Sequence, residues 1–279
     1  MVSSINAPRS PGRYEAWAAY DYSAPDYSNG SYGGDGDVNT VAVGGDIKLS
    51  DHLLVGMMAN YSENKSDYAG MGFKLTEPMG TVYAGYGNGP WYLGMTLGAG
   101  TLDYETTRDI ALGAATRTES GTTTGWHFAG RLIGGYWFKA GDWIHGPTVK
   151  LTYQELRVRQ FSENGSNSTT MTFGQQERTS FITSAGWQLS GQLGAVRPFA
   201  RASWEYESQA DDRSVTASVH GTNGSFSMPA YTPDDSWGLF NLGAAADFGK
   251  VTGYLTGSAT AGKGDGDAYG VTVGIRIPL

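Results

Sequence analysis

Four histidines, His52, His127, His145 and His220, are the first residues to ask about chemistry. No two share a spacing that would hold a metal ion, so no metal site is expected. A hydrolytic serine would need a histidine beside it and a third group to orient that histidine. His127 follows Thr122, Thr123 and Thr124 but carries no such partner motif, so it reads as one polar residue in a wet interior. The chain has no cysteine, which removes disulfides, thiol nucleophiles and thiolate metal sites. No catalytic residue, enzymatic activity or cofactor is expected of it.

A different set of polar residues stands out by position. His127, Arg131, Lys150, Gln154, Arg197, Arg201 and Glu205 alternate with apolar neighbours along extended stretches, and all fall on one face. Two readings of that face stay open. Either the groups satisfy one another inside an ordinary barrel, or they grip something threaded through it.

The elements that carry these residues follow from period-two alternation. In the last stretch, Tyr269, Val271, Val273, Ile275, Ile277 and Leu279 share a face opposite Gly270, Thr272, Gly274 and Arg276. About a dozen residues is the length that a tilted strand needs to cross a bilayer. The same alternation recurs over residues 14–22, 39–49, 53–62, 91–99, 125–138, 143–157, 179–190, 196–207, 237–248 and 251–261, and a further strand ends at Tyr86. Tight turns near 50–52, 88–90, 140–142, 191–194 and 249–250 alternate with long polar loops at 23–38, 63–73, 104–123, 160–175, 208–235 and 262–267. Twelve strands with connections that run long, short, long, short predict an all-β, antiparallel outer-membrane β-barrel. Its turns would be periplasmic and its loops extracellular. Residues 1–13 read as a lead, with Pro8 and Pro11 against a helix, and residues 14–279 as the transmembrane barrel.

Composition agrees with this class. Charged residues are 16%, glycines number 42, and 17 Tyr with 8 Trp are enough for two aromatic girdles. The mean hydropathy of −0.34 is what a strand with every second residue polar averages to. The net charge of −8 argues against nucleic acid, whose binding rests on Lys and Arg contacts to phosphate. The first residues lack a basic start and an apolar core, so no signal peptide is read there. The inward small residues, among them Gly94, Gly98, Gly135, Gly186, Ser258, Gly270 and Gly274, suggest an interior that side chains alone do not seal.

Four blocks stand out together: Tyr83-Ala-Gly-Tyr86 with Trp91-Tyr-Leu-Gly94, Gly130-Arg-Leu-Ile-Gly-Gly-Tyr-Trp137 with Gly146-Pro147, Arg197-Pro-Phe-Ala-Arg201, and the closing strand. They resemble the translocator domain of autotransporters, and most closely those with a GDSL-type esterase or lipase passenger. The resemblance implies a monomeric anchor in the bacterial outer membrane that carries an N-terminal passenger to the cell surface, with both barrel ends periplasmic. The partners it implies are outer-membrane lipid and lipopolysaccharide, the barrel assembly machinery that reads the closing strand, and the passenger with its linker helix. The family's terminal aromatic is Leu279 here. A small-solute channel is the alternative. An outer-membrane hydrolase fits less well, because Asn164, Gly165 and Ser166 lack the preceding histidine of outer-membrane phospholipase A.

The face assignment is testable. Val273→Lys puts a charge toward lipid at a cost of about 2–4 kcal/mol near mid-bilayer, whereas Thr272→Lys points inward. Gel-shift assays of heat-modifiability should show folding impaired in the first variant and near normal in the second. Equal tolerance of both would reverse inside and outside.

Overall fold

The computed structural model describes all residues except 1–10, 30–31, 69, 231 and 265. The expected proline-broken lead therefore lies largely outside the described residues. In chain order the strands are β1 (Tyr14–Asn29), β2 (Tyr32–Lys48), β3 (Leu53–Tyr68), β4 (Met71–Asn88), β5 (Trp91–Leu112) and β6 (Ala115–Tyr136). Then come β7 (Phe138–Ala140), β8 (Trp143–Val158), β9 (Phe161–Ser162), β10 (Met171–Phe173), β11 (Gln176–Gly191) and β12 (Val196–Glu207). The last five are β13 (Ser214–Val219), β14 (Phe226–Pro229), β15 (Ser236–Phe248), β16 (Val251–Ala261) and β17 (Ala268–Pro278).

Twelve of these make one closed antiparallel barrel. The order runs β1 to β6, then β8, β11, β12, β15, β16 and β17. Closure comes from β1 against β17, in a register from Glu15 opposite Pro278 to Pro25 opposite Ala268. The backbone N–H of Leu279 adds one more bond, to the Tyr14 carbonyl at 3.0 Å. Four of the five tight turns contain a glycine with positive φ: Gly89, Gly141, Gly194 and Gly249. Left-handed backbone is inexpensive only for glycine, which is why these dipeptides mark the turns. In the fifth turn the Ser50 hydroxyl accepts the backbone N–H of Leu53 at 3.1 Å.

Sidedness is inverted relative to a soluble protein. Leu242 on the outer face is 69% exposed, while Ser184 on the inner face is 0% exposed. All six apolar residues of the closing strand, Tyr269, Val271, Val273, Ile275, Ile277 and Leu279, are exposed on the outside. Around the turn end, aromatic rings contact one another along the outer surface. Trp91 meets Tyr136 edge-on at 4.8 Å, and Phe138 stacks on Trp187 at 6.3 Å.

The structure corrects two expectations about the strands. The segments read as long loops at 23–38, 63–73 and 104–123 are mostly strand, since the paired ladders β1–β2, β3–β4 and β5–β6 continue well past the apolar band. Beyond the band both faces meet water, so the apolar alternation fades while backbone pairing persists. The single strand expected over 125–138 breaks at Trp137, whose N–H donates to the Pro90 carbonyl at 2.9 Å and whose ring lies 5.7 Å from Tyr92. Two of the inward glycines seat aromatic rings from the neighbouring strand. A side chain at Gly274 would collide with the Tyr254 ring, and one at Gly135 with that of Tyr92.

The loop end carries a second, four-stranded sheet, ordered β14-β13-β10-β9. It is built from the two segments read as structureless at 160–175 and 208–235, with Met171 opposite Val219. Phe161 stacks on Phe173 at 5.1 Å and meets Tyr104 of β5 at 6.4 Å. Arg108 of β5 donates through Nη2 and Nε to Glu163 at 2.7 and 3.0 Å, and to the Thr169 carbonyl at 2.9 Å. The Thr169 hydroxyl beside Glu119 of β6 holds that carboxyl below its usual range. The small sheet is thus bonded to the inward side of the β5–β6 extension.

The ring-on-glycine contacts give a direct test. Gly274→Ala should displace Tyr254 and destabilise the folded barrel by about 1–3 kcal/mol, the usual range for overpacking. The readout is the urea midpoint in detergent. Adding Tyr254→Ala removes the clash, so the double variant should lose less than the sum of the two single losses.

Candidate functional site

The barrel interior is the candidate site, since strand alternation aims every second side chain into it. Glu205 of β12 is its most heavily engaged group. Lys150 of β8 lies 3.0 Å from its Oε2, and the hydroxyls of Ser184 and Ser203 each donate to Oε1 at 2.7 Å. Glu205 is 2% exposed and the Lys150 side chain 13%, so this is a buried pair rather than a surface one. Ser184 stands opposite both Lys150 and Glu205 across the β8–β11–β12 ladder, which is why the three meet.

The other inward groups named from the sequence fall in different places. His127 of β6 bonds Glu77 of β4 through Nδ1 at 2.7 Å. That contact sits where Pro78, which has no N–H to give, interrupts the β4–β5 pairing. No hydroxyl is bonded to the His127 ring among the described residues, so nothing there resembles a nucleophile with its base. Arg131 is exposed into the interior. Gln154 lies half-buried opposite Ala129 and Ser180. Arg197 is away from the Glu205 group, at the turn end, where it forks onto Asp247 of β15. Arg201 lies opposite Gln188 and Asn241, and its Nε and Nη2 are shielded from solvent without a protein partner.

Other inward residues contribute that were not singled out as site residues from the sequence. The Tyr92 hydroxyl donates to Thr148 Oγ1 at 3.0 Å and accepts from Gln188 Nε2 at 2.7 Å. On the opposite wall, Trp17 Nε1 donates to the Tyr83 hydroxyl at 2.8 Å, and that hydroxyl donates to Asp46 at 3.0 Å. Glu15 and Arg276 are 3.4 Å apart, and Thr272 donates to Asp21 at 2.6 Å. Strand parity, which marked the charged residues, marks these too. Trp17, Tyr83, Tyr92, Thr148 and Gln188 looked ordinary because they are uncharged or aromatic, whereas the charged Glu15, Asp21, Asp46 and Arg276 carried the same signal as the residues that were named. Among the described residues no group of three or more acidic, histidine or cysteine side chains is placed to hold a metal ion.

A closed antiparallel barrel with an apolar exterior and a hydrogen-bonded polar interior is a transmembrane β-barrel of the outer-membrane type. The arrangement can hold and orient a polar chain or solute. Comparison with known proteins narrows the class. The chain belongs to the autotransporter family: residues 16–258 match the family described as "Autotransporter beta-domain". It is therefore an autotransporter translocator domain, and its place is the outer membrane. It is 25% identical over 256 residues to Lipase 1 of Photorhabdus luminescens, a match that covers 89% of this chain and 38% of that protein. It is 28% identical over 228 residues to Esterase EstA of Pseudomonas aeruginosa, covering 78% of this chain and 35% of the other. The chain thus spans less than two-fifths of the length of these relatives. Among solved structures, the translocator domain of autotransporter NalP from Neisseria meningitidis superposes with a TM-score of 0.81 at 15% identity. That alignment covers 100% of this chain and 92% of the other.

The buried pair can be probed without reference to transport. Glu205→Gln strands Lys150 in a shielded site, and breaking such a pair costs about 3–5 kcal/mol. The double variant Lys150→Met with Glu205→Leu removes both charges and should lose clearly less. Urea midpoints of the folded barrel in detergent distinguish the two. A single variant as stable as the parent would mean that water already solvates the pair.

Proposed function

We propose that this chain is the translocator and membrane anchor of a surface protein whose passenger, an esterase, lies upstream of Tyr14. The observation that carries the reading is the partial coverage of its relatives. The barrel aligns with 38% of a protein named as a lipase and 35% of one named as an esterase, which leaves most of each beyond the barrel. The catalytic step then belongs to that other part.

Geometry supports the direction of transport in this reading. Tyr14 and Leu279 lie together at the turn end, bonded through the Leu279 N–H. With turns in the periplasm and loops outside, as is usual for such barrels, both barrel ends face the periplasm. A passenger joined at Tyr14 must then pass through the lumen to reach the surface, along the polar walls around Glu205 and Asp46. Its linker helix, outer-membrane lipid with lipopolysaccharide, and the barrel assembly machinery are the partners of the proposal. The chain acts as a monomer.

Two measurements on intact Gram-negative cells test it. A cysteine replacing Gly224 at the loop end should react with a membrane-impermeant label, and one replacing Asn88 in a turn should not. An epitope-tagged enzyme fused upstream of Tyr14 behind a secretion signal should become accessible to external protease. Labelling at Asn88 alone would put the barrel upside down. Correct topology with no displayed passenger would leave a small-solute channel as the better reading.

A further inference from the structure

Several inward-facing charges meet an opposite charge: Glu15 faces Arg276, and Arg197 faces Asp247. The wall formed by β6, β8 and β12 departs from that pattern. Arg131 and Lys150 are diagonal neighbours on the inward face, since Arg131 stands opposite Thr152 and Ile133 opposite Lys150, and Arg201 shares the inward face of β12 with Glu205. The carboxylates on that wall are Glu205, already taken up by Lys150, Ser184 and Ser203, and the buried Glu207, which accepts from the Ser180 hydroxyl and the Phe181 N–H. Three cations and two carboxylates leave one positive charge in excess on this stretch of wall.

The two arginines also have hydrogen-bonding capacity to spare. Nε and Nη2 of Arg201 are shielded from solvent and have no protein partner. A buried donor without an acceptor costs free energy until one arrives. Arg201 as a whole is only partly buried, so a change of side-chain torsion carries these donors to the lumen surface. Arg131 is exposed into the same space. A guanidinium presents parallel N–H groups that match the two oxygens of a carboxylate or a phosphate.

We propose that Arg131, Lys150 and Arg201 form an oxyanion site on the lumen wall, in which the guanidiniums fork onto the ligand and Lys150 holds Glu205 beside them. The ligand is a carboxylate or phosphate group, either on an acidic side chain of polypeptide within the lumen or on a small dissolved anion. Only the polypeptide source rests on the translocator reading. The site itself follows from the unmatched charge and the unpartnered donors.

The test uses the folded barrel in detergent at fixed ionic strength, with the urea midpoint as readout. Inorganic phosphate replacing chloride should raise the midpoint of the parent chain. Its half-saturating concentration should rise by about tenfold or more in Arg201→Gln and Arg131→Gln, a usual size for loss of one charge-assisted fork. Arg201→Lys keeps the charge and loses the fork, so it should resemble Arg201→Gln if it is the fork that binds. It also covers the case in which Arg201→Gln fails to fold. Lys65→Gln, on the outer face beside Glu63, should behave as the parent. A second arm replaces phosphate with a soluble peptide containing glutamates, or with the same peptide carrying glutamines. Stabilisation by the glutamate peptide alone, lost in the arginine variants, assigns the site to polypeptide. Stabilisation by phosphate alone assigns it to a dissolved anion. The proposal is overturned if neither probe stabilises the parent, or if both act equally on parent and arginine variants. Passenger display by Arg201→Gln cells is scored separately, so failure of the anion site leaves the translocator reading standing, and the reverse.

Discussion

Everything in this molecule depends on closing the ladder between β1 and β17. Hydrocarbon offers no water to a bare N–H or carbonyl, so a spanning sheet must leave no free edge. The register from Glu15–Pro278 to Pro25–Ala268 supplies that last seam, with the Leu279 N–H completing it at the turn end. An open sheet of the same strands would expose two edges to lipid, each unsatisfied group costing several kcal/mol. Closure also divides side chains into outward and inward sets with no third option. The exposed Val273 and the lumen residue Thr272 are consequences of one geometric fact.

That division explains why polar groups are the buried ones. Glu205, Ser184, Thr148 and Gln188 are shielded from solvent by the wall and by one another, while Leu242 and Met57 face outward. A shielded polar atom costs free energy without a partner, so much of the inner wall is a set of short hydrogen-bonded chains: Lys150–Glu205–Ser184, Gln188–Tyr92–Thr148, and Trp17–Tyr83–Asp46. The inward aromatics serve a related end. By lying over glycines of the adjacent strand, Tyr254 and Tyr92 stay close to the wall instead of crossing the lumen. Polar groups that are largely satisfied by the wall suit a passage for a polar chain, which is what a translocator needs.

Above the band the same chain follows other rules. With water on both faces, β5 and β6 keep pairing up to Leu112 and Ala115, and the charged residues of the extension become anchor points. Arg108 and Glu119 fasten the segment from Glu163 to Thr170, and Phe161, Phe173 and Tyr104 bury a small apolar centre beneath it. The loop end is therefore built structure, joined to one side of the barrel rim.

The sequence alone was enough for the spanning part. Period-two alternation and turn glycines are local signals, and lipid on one face makes the alternation strict, so strand number, class and the outward face of the closing strand could be read without coordinates. Parity also gave the direction of Arg131, Lys150 and Glu205, though not their partners. Ser184 meets Glu205, and Arg197 leaves Arg201 for Asp247, because register across neighbouring strands brings together residues distant in the chain. The strand extensions and the β9–β10–β13–β14 sheet were illegible for the converse reason. Where water bathes both faces, no alternation is imposed, and pairing between segments some fifty residues apart leaves no local trace. The tertiary structure alone decided those pairings, and with them where the unmatched positive charge of the lumen lies.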